Sequence, residues 1–214
     1  MNVSDIMVRD IKTAKPDLST GDALEYMKAM HIRHLPVVND AGEFVGIVSD
    51  RDLKDAAPSI FDKSHEDFIY VPISKVMITD VITALPLDFV EEAAFTMVEE
   101  NISCLPVEED GKLVGIITET DLLKILVKLT GASLPSSRLE VEVNDESGHL
   151  CRVTQLINEH KMNIQSVLLY PSPIDNKKKI LVFRIQAMDM RPLLNTLKEE
   201  GFHVKWPKDL ELGV

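Results

Sequence analysis

Two short segments of this 214-residue chain each bring a hydroxyl, an acid and the expected start of a helix close together. In Gly46-Ile47-Val48-Ser49-Asp50-Arg51-Asp52, and again in Gly115-Ile116-Ile117-Thr118-Glu119-Thr120-Asp121, an apolar run delivers a Ser or Thr, and an Asp follows three residues later. That spacing suits a nucleoside phosphate. Free backbone N–H groups and the dipole at a helix N-terminus attract an anion, and a carboxylate accepts hydrogen bonds from a ribose diol. The same residues also make a capping box, with Asp in place of the usual Glu, and in that reading they only start a helix. On spacing alone both readings stand.

Other reactive side chains point to less. His31-x-x-His34 brings two imidazoles together only on a helix, and it lies where a helix should end before Leu35-Pro36, so no metal site is expected. Cys104 and Cys151 have no nearby His and acid in a nucleophile pattern and read as structural thiols. Lys177-Lys178-Lys179 falls between two expected strands as a solvated hairpin tip. No Walker loop, redox CxxC, nucleophile elbow or metal-ligand cluster occurs, so no catalytic residue is assigned.

The elements that must hold these segments are duplicated. Offset by 70 residues, Ser4-Asp5-Ile6-Met7 falls on Ser74-Lys75-Val76-Met77, Thr13-Ala14-Lys15-Pro16 on Thr83-Ala84-Leu85-Pro86, and Leu35-Pro36-Val37 on Leu105-Pro106-Val107. One residue is then lost in a turn, and Val45-Gly46-Ile47 falls on Val114-Gly115-Ile116. Two such units usually pack together, because neither buries its apolar face alone. Each reads as β-α-β-β-α: an extended stretch (Ile11 to Ala14; Val81 to Ala84), a helix with apolar positions Ala23, Leu24, Met27, Met30 or Ala93, Ala94, Met97, Val98, a hairpin, and a helix opening near Ser49 or Thr118. After Leu129 a run of small residues with Gly and Pro reads as a linker. Beyond it the periodicity gives β-α-β-β-α-β, the order of a ferredoxin-like domain, with Gly148 and Gly201 at helix ends. The expected class is α+β, divided as 1–70, 71–130, a linker 131–137, and 138–210.

The repeated Met-x-x-Asp-x-x-Thr-x-x-Pro, Leu-Pro-Val and Gly-hydrophobic-hydrophobic-Ser/Thr-x-x-Asp segments resemble a tandem pair of CBS domains, a Bateman module, over about residues 1 to 130. The resemblance implies an adenosine-containing ligand (AMP, ADP, ATP or S-adenosylmethionine) in clefts between the two repeats. It implies one site lined by Thr13, Arg33, His34, Ser49, Arg51 and Asp52, and another by Thr83, Cys104, Thr118, Thr120 and Asp121. The aspartates would hold ribose; the hydroxyls and Arg51 would face phosphate. The C-terminal part resembles an ACT domain, whose amino-acid turn would be Asn144, Asp145, Ser147 and Gly148. Ser147 stands where that family usually has Pro, and a plain turn with a helix cap is the other reading. With Ala57-Pro58-Ser59-Ile60-Phe61 and Trp206-Pro207, the whole chain is similar to the acetoin-utilisation protein B family, which implies a link to acetoin catabolism.

Charge sharpens the expectation. With 23 Lys and Arg against 35 Asp and Glu, the net charge is −12, which argues against direct nucleic-acid binding. Residues 1–72 carry 8 cations and 13 acids, and residues 73–136 carry 4 and 11 with no arginine. A phosphorylated ligand is therefore expected where Arg33 and Arg51 lie; Ser103, Cys104 and Thr120 occupy the matching positions of the second repeat. No stretch is long and apolar enough to span a membrane, and the first residues lack a signal-peptide pattern, so a cytoplasmic protein is expected. The leading expectation is a non-enzymatic regulatory sensor that uses an adenosine compound as its ligand, needs no cofactor, forms a homodimer and acts on a protein partner. A ligand-free dimerisation scaffold is the alternative, and an enzyme of acetoin breakdown is disfavoured.

Overall fold

The computed structural model describes residues 1–58 and 67–208. Ser59-Ile60-Phe61 and the last two residues of the expected 138–210 domain lie outside the described residues. The chain divides into two compact units, Met1–Leu123 and Lys124–Val214.

In the first unit, helix α1 (Thr20–Ala29) is followed by hairpin β1 (His34–Val38) and β2 (Phe44–Ser49), and then by α2 (Asp50–Ala56). The second repeat runs α3 (Val90–Glu99), β3 (Cys104–Glu109), β4 (Lys112–Thr118) and α4 (Glu119–Leu129). Both hairpins are antiparallel and shift register at the same place, between Val37 and Val38 and between Val107 and Glu108. The apolar positions Ala23, Met27, Ala93 and Met97 are buried as the helical period requires, whereas Met30 and Val98 face outward. The expected strands ending at Ala14 and Ala84 shrink to single parallel bridges to Val37 and Val107. Proline explains the stop: Pro16 and Pro86 follow two residues later and have no N–H with which to extend the ladder.

The repeats exchange their leading segments. The 3-10 turn Val3–Asp5 and the residues after it dock on the second repeat, where Val3 N donates to Asp88 O at 2.9 Å and Val8 pairs with Ile116. The matching turn Ile73–Lys75 returns to the first repeat: Ile73 N donates to Leu18 O at 2.8 Å, and Ile78 pairs with Ile47. Each core is thus mixed. Val3 and Met7 pack with Ala93, Met97, Leu105 and Ile117, while Ile73 packs with Ala23, Met27, Leu35 and Leu53. The glycines of the two Val-Gly-Ile runs make this possible. A Cβ on Gly115 would lie 2.3 Å from Met7 Sδ, and one on Gly46 would lie 2.7 Å from Ile78 O.

The second unit contains β5 (Ser137–Asn144), α5 (His149–Glu159), β6 (Asn163–Pro171), β7 (Lys178–Gln186), α6 (Arg191–Glu199) and β8 (His203–Trp206). Its antiparallel sheet has the order β6-β7-β5-β8, the split β-α-β arrangement of ferredoxin-like sheets. Leu139, Val141, Leu181, Phe183 and Ile185 of the sheet form the core with Val153, Leu156, Leu193 and Leu197 of the helices. Gly148 and Gly201 take φ of 98° and 83°, left-handed values that open and follow the helices at little steric cost.

Candidate functional site

Both capping boxes form. Ser49 N and Oγ donate to Asp52 Oδ2 at 2.7 Å each, and Asp52 N donates back to Ser49 Oγ at 3.1 Å. In the second repeat, Thr118 Oγ1 donates to Asp121 Oδ2 at 2.7 Å, and Asp121 N donates to Thr118 Oγ1 at 3.4 Å. The residue just before each hairpin secures the next helix: Asp50 N donates to Arg33 O at 3.0 Å, and Glu119 N donates to Ser103 O at 3.1 Å. Arg33 and Ser103 therefore hold equivalent places in the two repeats.

These ends open on a cleft of 490 Å³, within the roughly 300–1,000 Å³ of small-molecule sites. The first repeat contributes Arg33, His34, Ser49, Asp50 and Arg51, and the second contributes Asn101, Ser103 and Glu119, with Met97, Val98 and Ile102 as apolar wall. The cleft is composite. His34 Nε2 and Ser103 Oγ share a hydrogen bond of 2.9 Å between the repeats.

Charge in the cleft is unevenly committed. Asp50 is paired with Lys54 at 2.7 Å, and that hydrogen bond leads in holding its carboxyl below the usual range. Burial, then the neighbouring Arg33, lowers the His34 pKa. Among the described residues neither Arg33 nor Arg51 has a carboxylate within 4 Å, although both line the cleft. Two guanidiniums left unpaired in so acidic a chain are suited to bidentate bonds with phosphate.

Arg33, His34, Ser49 and Arg51 thus come together, while Asp52 stands behind Ser49, bonded through Oδ2. Thr13 lines a different cleft of 770 Å³ with Lys15, Asp17, Ser19, Asp22 and Tyr26. There the cation is already engaged, as Lys15 pairs with Asp40 at 3.2 Å. Thr83, Cys104, Thr118, Thr120 and Asp121 line neither of these clefts. Cys104 is buried on β3, and burial, followed by Asp52, pushes its thiol up to about 12. The spacing reading missed Asn101, Ser103 and Glu119. Applying the repeat offset to Arg33 and Asp50 reaches the last two, but only the docking of the repeats shows that they share a cleft.

In the second unit, Asn144 lines a cleft of 290 Å³ with Glu142, His149, Lys178, Phe202 and His203. Of the other turn residues, Asp145 pairs with Lys179, and Gly148 caps α5 without a side-chain bond. Lys178 is no bare hairpin tip, for it pairs with Glu142 at 3.1 Å. Lys178, then His203, holds that carboxyl down at about 2. His31 sits just past α1 with φ 55°. Among the described residues, no group of three or more His, Cys, Asp or Glu could hold a metal ion, and no helix is long and apolar enough to cross a membrane.

Residues 3–59 and 73–128 match the CBS domain family model. A solved structure described as a putative acetoin utilization protein (AcuB) from Vibrio cholerae is 36% identical, with 64% of this chain and 98% of that one covered and a TM-score of 0.55. The CBS-domain pair of protein MJ0100, solved with 5-methylthioadenosine and S-adenosyl-L-methionine, is 30% identical over 59% of this chain and 95% of that one, TM-score 0.52. CBSX2, solved with AMP, is 29% identical over 59% and 96%, TM-score 0.52. The chain spans less than half the length of the first curated relatives it matches: 42% of an uncharacterized protein of Methanocaldococcus jannaschii at 33% identity over 58% of this chain, and 24% of a homoserine O-acetyltransferase of Methanohalobium evestigatum at 34% over 58%.

Proposed function

The chain belongs to the CBS-domain family, and from that premise we propose that it is a non-enzymatic regulatory sensor that binds an adenosine-containing ligand in the cleft between its repeats. The observation that carries this reading is the pair of unpaired guanidiniums, Arg33 and Arg51, on a cleft of ligand size. They take the phosphate. Met97, Val98 and Ile102 offer an apolar wall to the adenine ring, and Asp52, behind Ser49 with only Oδ2 in the capping box, is assigned to the ribose. Family members solved with AMP, or with S-adenosylmethionine and methylthioadenosine, support this ligand class.

The remaining assignments follow the same reading. The sheet order of the second unit supports an ACT-like domain, and the likeness to the Vibrio cholerae structure supports a place in acetoin utilisation. The protein acts as a homodimer in the cytoplasm. Ligand binding biases it between two states that differ in affinity for a protein partner. A cleft distributed over both repeats suits that role, because a ligand touching both favours one arrangement of them.

A second reading rests on the closed capping boxes: Ser49 with Asp52, and Thr118 with Asp121, already have partners, as in a ligand-free scaffold. Thermal melting with AMP, ADP, ATP and S-adenosylmethionine separates the two. A sensor gains about 2.7 kcal/mol when ligand reaches a hundredfold excess over Kd. A scaffold melts at one temperature with every compound.

A further inference from the structure

The cleft holds a group whose charge is not fixed. Its lining carries Arg33 and Arg51 against Asp50 and Glu119, and Asp50 is already engaged by Lys54. The two guanidiniums, offset by Glu119, supply less positive charge than a phosphate dianion brings negative. His34 lines the same cleft, half-buried, with Nε2 2.9 Å from Ser103 Oγ. A serine hydroxyl is both donor and acceptor, so it can partner either the neutral or the protonated ring.

We propose that His34 is the residue that distinguishes a phosphorylated ligand from a bare nucleoside, by taking up a proton and bonding the phosphate when a nucleotide enters the cleft. This rests on the reading of the cleft as a nucleotide site. The charged and titratable groups facing His34 are Arg33 beside it on the chain, Asp50 and Asp52 of α2, and Glu119 of α4. Without a phosphate beside it, burial and Arg33 outweigh the three carboxylates and hold the ring's pKa below its ordinary value. A phosphate reverses the balance: it adds negative charge at the ring and engages the Arg33 guanidinium that opposes protonation. The proton comes from solvent, and no covalent bond changes. Ser103 holds the ring from the second repeat, so the residue that senses the phosphate also joins the two halves of the cleft.

The sign of the pH effect follows. The His34 pKa is higher in the complex than in the free protein, so binding takes up a proton and affinity rises as pH falls between the two values, by at most about tenfold per unit. Phosphate itself gains a proton near pH 6, which sets the useful window at pH 6.5 to 8. The test is calorimetric titration of the full chain with AMP and with adenosine across that window, in buffers of different ionisation enthalpy, for the wild type and His34→Gln. The wild type should bind AMP several-fold more tightly at pH 6.5 than at pH 8, with proton uptake, while adenosine shows neither effect. His34→Gln should bind AMP with no gain on acidification and no uptake. AMP binding by the wild type without proton uptake, or with the same pH profile as His34→Gln, overturns the proposal and leaves the nucleotide site standing. Failure of both AMP and adenosine to bind at any pH overturns the nucleotide site and this proposal with it.

Discussion

At the scale of single residues, Asp52 carries the tension between cap and ligand. Its Oδ2 accepts from both Ser49 N and Ser49 Oγ, which fixes the start of α2 and aims the Ser49 end at the cleft. The two roles are compatible because the second carboxylate oxygen takes no part in those bonds. Asp52→Ala is therefore expected to do two things at once. Loss of the cap costs about 1 kcal/mol, read as a lower melting temperature of the free protein, and loss of the ribose acceptor weakens adenosine binding, read by titration. A variant with lowered stability and intact affinity assigns Asp52 to the cap alone. The sequence displayed the hydroxyl-acid spacing plainly, but not which oxygen is engaged, since that depends on side-chain geometry within one helical turn.

At the scale of elements, the helices and hairpins followed from periodicity and turn chemistry almost throughout. Gly42 and Gly111 take positive φ in the hairpin turns, and Gly148 and Gly201 do so at helix ends. The exchange of leading segments was not legible. Its contacts join residues far apart in the chain, such as Val8 with Ile116, and each is a single bridge that leaves no alternating pattern. The one trace is that Met7, Met77, Gly46 and Gly115 recur at matching places in both repeats, which makes sense only once each methionine is seen beside the other repeat's glycine. This pairing predicts an asymmetry. Gly115→Ala and Gly46→Ala both overpack, at about 1–3 kcal/mol, but the first collides with a side chain and the second with the Ile78 carbonyl. Denaturant unfolding should show that adding Met7→Ala recovers stability in Gly115→Ala, whereas Met77→Ala does little for Gly46→Ala. Equal rescue in both would contradict the asymmetry, and no rescue of Gly115→Ala by Met7→Ala would contradict the exchanged packing.

At the scale of the whole molecule, the net charge of −12 resolves into parts. Residues 137–214 carry 11 cations and 11 acids, so the deficit lies in the repeats, and the first repeat holds the arginines. That much was legible by counting. The composite nature of the cleft was not, because Ser103 and Glu119 reach it only when two similar units dock, and docking is decided by surfaces rather than by spacing. The account therefore turns on whether a nucleotide binds where the unpaired arginines face the second repeat. Calorimetric titration of AMP into the full chain, beside Arg51→Ala and Arg33→Ala, tests this most directly. Saturable binding in the wild type, weakened roughly tenfold or more in each variant, is the expected result, since a charge-assisted bond contributes about 1.5–3 kcal/mol. No binding in the wild type, or unchanged affinity in Arg51→Ala, would contradict it.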